Sequence, residues 1–171
     1  MNNLGVVAYV ISFFVYCLLQ VLFIRNWALF DVAFCFIHIS FLLLLPFEFT
    51  AIMLMVLGFS LGFLTDIFYG TLGLHASACV LIAYLRPYIL KLITPGGGYD
   101  NSMKPYVAVM GFRWFLTYTL SLVAIYNLCL FALEASTLMF WEFTLFKVVC
   151  STAFTTVVMF IFQYLFYSER R

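Results

Sequence analysis

Polar residues punctuate this chain at intervals close to the length of a membrane-spanning helix. A bilayer core about 30 Å thick needs about 20 apolar residues of helix to cross it. By that ruler the pattern predicts helices over residues 4–24, 30–45, 50–66, 72–93, 106–131 and 140–167. The first stops at Arg25-Asn26 and lacks a basic leader and a small-residue cleavage site, which favours a retained helix over a signal peptide. The second is short and ends at Pro46 and Glu48, as a steep or partly embedded helix would. Six spans is the expected count, five if the second does not cross. The fold class is therefore all-α, a polytopic integral membrane protein forming a single transmembrane domain over residues 1–171.

Composition agrees with this pattern. Of 171 residues, 67% are hydrophobic and 9% charged, far from the roughly one-quarter charged content of soluble domains. The net charge of +1 offers no field for nucleic acid. Cys17, Cys35, Cys79, Cys129 and Cys150 all fall in apolar runs without a C-x-x-C pair and read as small buried hydrophobes. The longest polar interval is residues 94–102, and its Gly96-Gly97-Gly98 lacks the Lys-Ser/Thr of a phosphate-binding loop. No Ser-His-Asp or H-E-x-x-H arrangement suggests an enzyme.

Charge orients the spans. With a cytoplasmic amino terminus, Arg86, Lys91, Lys104, Arg113, Arg170 and Arg171 fall on the cytoplasmic side, against Arg25 and Lys147 on the other. The positive-inside rule then puts both termini in the cytoplasm.

Ionisable residues inside a span cost roughly 2.5–3.5 kcal/mol at its centre, so they seek partners or the protein interior. Depth along the six spans groups Asp66, His75, Glu142 and Lys147 in an outer layer, and Glu48, Arg86, Lys91 and Arg113 in an inner one. Arg86 and Lys91, near a helix end, are expected to snorkel to the cytoplasmic interface. Arg113 is expected to find a partner in the bundle, and His38 to stand alone near mid-depth as a neutral, hydrogen-bonded helix residue. Two histidines on different spans, with no cysteine at ligand spacing, make a poor metal site.

Gly58, Gly62 and Asp66 share one helix face at i, i+4 and i+8, the spacing that lets transmembrane backbones approach closely. On the next span His75, Cys79 and Ala83 repeat it, with Ala76 and Ser77 alongside. The two faces, joined by a short turn containing Gly70 and Gly73, are expected to pack together.

Gly62-Phe-Leu-Thr-Asp66, Gly70-Thr-Leu-Gly73-Leu-His75-Ala76 and Ala83-Tyr84-Leu85 together resemble the core signature of the rod-shape-determining MreD family. The match covers residues 58–86, and the length and six-span layout extend it loosely over the chain. Arg86-Pro87 and the Gly96-Gly97-Gly98 loop depart from that pattern. The resemblance implies a non-enzymatic, multi-pass protein of the bacterial inner membrane with no cofactor. Such proteins bind the bitopic partner MreC and help link MreB filaments to the synthases that insert peptidoglycan during elongation. The implied fold resembles the substrate-binding subunits of energy-coupling-factor vitamin transporters. A pocket near the outer ends of spans three, four and six then becomes an expectation, and a transporter subunit using Asp66, His75 and Lys147 is the alternative function. A homodimer is left open.

Overall fold

A computed structural model describes residues 3–24, 28–29, 32–99, 103–135 and 141–166. Helix α1 (Asn3–Leu18) continues as a π-helical stretch, Leu19–Ile24. Strands β1 (Ala28–Leu29) and β2 (Ala33–Phe34) form an antiparallel hairpin in which Ala28 pairs with Phe34 and Leu29 with Ala33. Helices α2 (Ile39–Leu44), α3 (Ala51–Tyr69), α4 (Leu74–Leu92), α5 (Val107–Met110), α6 (Phe112–Glu134) and α7 (Trp141–Phe166) follow.

Among the described residues, four helical stretches are long and apolar enough to cross a membrane: Val6–Ile24, Ala51–Tyr69, Phe112–Glu134 and Trp141–Leu165. The chain is accordingly a helical membrane protein. Their outward faces carry Ile52, Val56, Phe59, Phe63, Val149, Val157 and Ile161, all exposed, as lipid-facing positions should be. Helix α4 matches α3 in length but carries Arg86, Pro87 and Lys91 in its second half, and it falls outside that apolar set. The helix expected over residues 106–131 is interrupted: α5 ends at Gly111 (φ 84°, ψ 160°) and α6 starts afresh.

The expected second helix needs a larger correction. Over residues 30–45 the described part is a two-residue strand, an irregular stretch and only the six-residue α2. Contacts fix its path. The Tyr9 ring of α1 meets Phe49 at 5.6 Å, and Gln20 at the far end of that helix bonds the Tyr69 hydroxyl at 2.7 Å. Helices α1 and α3 therefore run in the same direction, and the chain between them must return from the Gln20 level to the Tyr9 level. Tyr9 and Gln20 stand about 16 Å apart along their helix, and residues 33–45 cover that depth as a strand end, an irregular stretch and the short α2 instead of one continuous helix.

A non-helical segment inside the bundle leaves backbone groups without partners, and where neighbouring side chains exclude water only protein can supply them. Ser151 and Thr155, one turn apart on α7, accept from the amides of Phe34 (3.0 Å) and Phe36 (3.2 Å). Thr155 also donates to the Phe34 carbonyl at 3.3 Å. Gln20 donates to the Cys35 carbonyl at 3.1 Å and accepts from the His38 amide at 3.4 Å.

At the other end of this pass stands Arg86, only 2% exposed, so the expected snorkelling to the interface does not occur. Its Nε donates to the Tyr118 hydroxyl at 2.7 Å, and its Nη2 donates to the carbonyls of Leu43 and Leu45. Tyr118 donates to the Leu43 carbonyl at 3.0 Å. These are the last carbonyls of α2, which have no intrahelical partner and carry the negative end of the helix dipole. A guanidinium reaches several acceptors at once with a fixed fork, which suits it to this place. Pro46 holds Leu45 extended (ψ 145°) and prevents α2 from continuing. The rest of the inner layer is not assembled: Glu48, Lys91 and Arg113 are exposed, Arg113 at the second residue of α6.

Candidate functional site

The hairpin of α3 and α4 has the most extensive helix–helix contact in the protein, and its glycines do two different jobs. A methyl group on Gly62 would lie 2.5 Å from Ala76 Cα and 2.6 Å from both Ala76 N and the His75 carbonyl oxygen. On Gly58 it would lie 3.0 Å from the Cys79 carbonyl oxygen. These two positions let the α3 backbone touch that of α4. Gly70 (φ 70°) and Gly73 (φ 79°) have open space around them but left-handed backbone, and they make the turn.

Asp66 closes this device. It is 4% exposed, and its Oδ1 accepts from the Thr71 hydroxyl at 2.5 Å and the His75 amide at 3.0 Å, while Oδ2 accepts from the Ala76 amide at 2.9 Å. His75 and Ala76 are the second and third residues of α4, whose amides have no intrahelical acceptor, and the helix start attracts negative charge. Gly73 has no side chain to serve as cap, so the carboxylate of the preceding helix takes that role. The Asp66 carbonyl also accepts from Gly70 and Thr71, ending α3.

His75 then turns its ring inward. Its Nδ1 lies 2.6 Å from the Tyr126 hydroxyl of α6, which lies 3.2 Å from His38 Nε2. His38 sits immediately before α2, with no side-chain cap bond, and does not stand alone. The Tyr126 hydroxyl has one proton and two imidazole neighbours, so it donates to one and accepts from the other, and the chain can be polarised in either direction. Phe36 packs against His38, His75 and Tyr126 at 5.5–6.2 Å between centroids. His38 Nδ1 is buried with no partner.

No family model, curated protein or solved structure matches the chain. The arrangement itself must therefore carry the reading.

Of the expected outer group, Asp66 and His75 meet directly. Lys147 lies at the same end but reaches neither: its Nζ sits over the rings of Phe34, Phe131 and Phe143 at 5.7, 5.9 and 5.3 Å. Glu142 is exposed in the first turn of α7, away from the Asp66 contacts. A cavity of about 120 Å³ opens beside His75, bounded also by Tyr69, Thr71, Phe36, Phe131 and Glu134. It holds about four waters at liquid density. Among the described residues no group of three or more His, Cys, Asp or Glu could hold a metal ion.

Sequence reasoning missed Tyr126, Gln20, Tyr118, Ser151 and Thr155. A glutamine in an apolar run and two hydroxyls at i, i+4 on an apolar helix were the available signals, because polar groups inside a span need a use.

Proposed function

We propose that the chain is a non-enzymatic scaffold of the MreD type in a bacterial inner membrane, with six passes and both termini cytoplasmic. The second pass is the return segment through β2 and α2. In this reading the protein binds a bitopic MreC-like partner through its apolar lipid-facing surface and helps couple MreB filaments to peptidoglycan synthases. One observation carries the reading: the motif residues Gly62, Asp66, Gly70, Gly73 and His75 all serve one rigid, capped helix hairpin, with Gly58 extending its contact face. Polar groups that a catalyst would direct at a substrate are spent on the protein's own backbone, as Arg86, Asp66, Ser151 and Thr155 are.

A vitamin-transporter subunit is the second reading, and the cavity beside His75 favours it. At about 120 Å³ it falls short of the roughly 300 Å³ at which small-molecule sites begin, which supports the scaffold over the transporter. Affinity purification of the full chain from its native membrane tests the choice. Recovery of a bitopic partner with cell-wall synthases supports the scaffold, and recovery of two ATPases supports the transporter.

A further inference from the structure

The Tyr9 end of the protein, opposite the Asp66 hairpin, holds a second cavity, of about 240 Å³, between α1, α2 and the end of α7. Its largely apolar lining carries several polar side chains: Lys104, Gln163, Ser12, Tyr16 and Tyr9 all border it. The Lys104 ammonium faces the rings of Tyr9 and Tyr106 at 5.4 and 5.7 Å, and no carboxylate among the described residues pairs with it. Gln163 is 6% exposed, and its Oε1 is buried without a partner. Among the described residues the Lys104 ammonium is met by ring faces alone and the Gln163 carboxamide oxygen by nothing, and both would gain from a polar ligand in the cavity they border.

Another cavity lies against the same wall. Tyr9, Phe41 and Leu45 also border an apolar groove of about 590 Å³ between α1 and α3, walled by Val10, Phe13 and Val56 among others. A cationic chamber sharing three wall residues with an apolar groove between two apolar helices has the two-part chemistry of a phospholipid. We propose that this site binds an anionic phospholipid whose headgroup bears hydroxyls, of the phosphatidylglycerol type. The phosphate lies against Lys104, a headgroup hydroxyl satisfies the Gln163 carboxamide, and an acyl chain lies in the α1–α3 groove. A hydroxyl both donates and accepts, so it serves the carboxamide whichever way that group is turned. The chamber, with room for about eight waters, takes a phosphate and a three-carbon polyol.

The site is independent of the scaffold reading. Native mass spectrometry of the full chain in detergent, with phosphatidylglycerol and phosphatidylcholine of identical acyl chains at equal mole fraction, tests it. Phosphatidylglycerol should be retained at least about fivefold more, the contribution of one near-surface lysine. Lys104→Gln should remove that preference, whereas Lys91→Gln, which alters an exposed cation on α4, should preserve it. Gln163→Leu should weaken phosphatidylglycerol but spare phosphatidic acid, whose headgroup has no polyol. Equal retention of the two lipids overturns the proposal. Equal effects of Lys104→Gln and Lys91→Gln reduce it to diffuse attraction. Full displacement of the lipid by millimolar inorganic phosphate would make the site one for free anions. Should Gln163→Leu fail to fold, the two lysine variants still decide.

Discussion

Replacing Gly62 by alanine inserts one methyl group at the tightest point of the α3–α4 hairpin. The added carbon would lie 2.5–2.6 Å from three backbone atoms of His75 and Ala76, where ordinary carbon contacts begin near 3.5 Å. No flexible side chain is present to yield, so the helices must part by about 1 Å. A gap of that size forfeits a quarter to a half of the dispersion energy of the contacts it opens, and overpacking of this kind costs up to about 3 kcal/mol. Alanine returns about 1 kcal/mol of helix propensity, leaving a net loss of about 2 kcal/mol, roughly thirtyfold in the folded-to-unfolded ratio. Gly58→Ala is the internal control. Its methyl would lie 3.0 Å from the Cys79 carbonyl oxygen and 3.3 Å from its carbon, a milder clash that the propensity gain should largely offset. Gly70→Ala meets nothing and should lose about 1–2 kcal/mol through its left-handed backbone alone. Reversible unfolding in mixed micelles reads all three. Gly62→Ala within about 0.5 kcal/mol of the parent, or less harmful than Gly58→Ala, would refute the close-approach argument.

The other consequences concern buried partners. Asp66→Ala strands the Thr71 hydroxyl and the amides of His75 and Ala76, and should cost about 2–4 kcal/mol in the same unfolding measurement. Asp66→Asn, which keeps one accepting oxygen, should recover part of that loss. Arg86→Met leaves the Leu43 and Leu45 carbonyls short of donors and should cost about 2–3 kcal/mol, with little recovery from Arg86→Lys because a point charge cannot reach every acceptor. In the Ser151→Ala/Thr155→Ala pair, hydrogen exchange should accelerate at the Phe34 and Phe36 amides before it does in α3. Unchanged exchange there would mean that those hydroxyls do not support the return pass.

The legible parts of the protein were those set by local spacing. Gly58, Gly62 and Asp66 lie on one face because a helix has 3.6 residues per turn, and Gly70 and Gly73 fall where a chain reverses. The return pass was not legible. Residues 32–37 form a short unbroken apolar run, which carries no period to separate a buried extended segment from a buried helix. The groups that stabilise its backbone come from positions far apart in sequence: Gln20, Arg86, Tyr118, Ser151 and Thr155. Arg86 was misjudged for the same reason. Its place near a helix end suggested an interfacial head, but its acceptors lie on α2 and its phenol partner on α6. Lys147 lies at the Phe34 and Phe131 rings and does not meet Asp66 or His75, a choice of partner that position along the helix could not specify.

The central claim is that this capped hairpin serves a scaffold for cell elongation. Controlled depletion of the chain in the bacterium that makes it, with cell width followed by microscopy and growth followed with and without added vitamins, tests that claim most directly. Rods that widen and round, and that recover with the parent chain but not with Asp66→Ala, are the predicted result. Cells that keep their width and stop growing until a vitamin is supplied would contradict the claim.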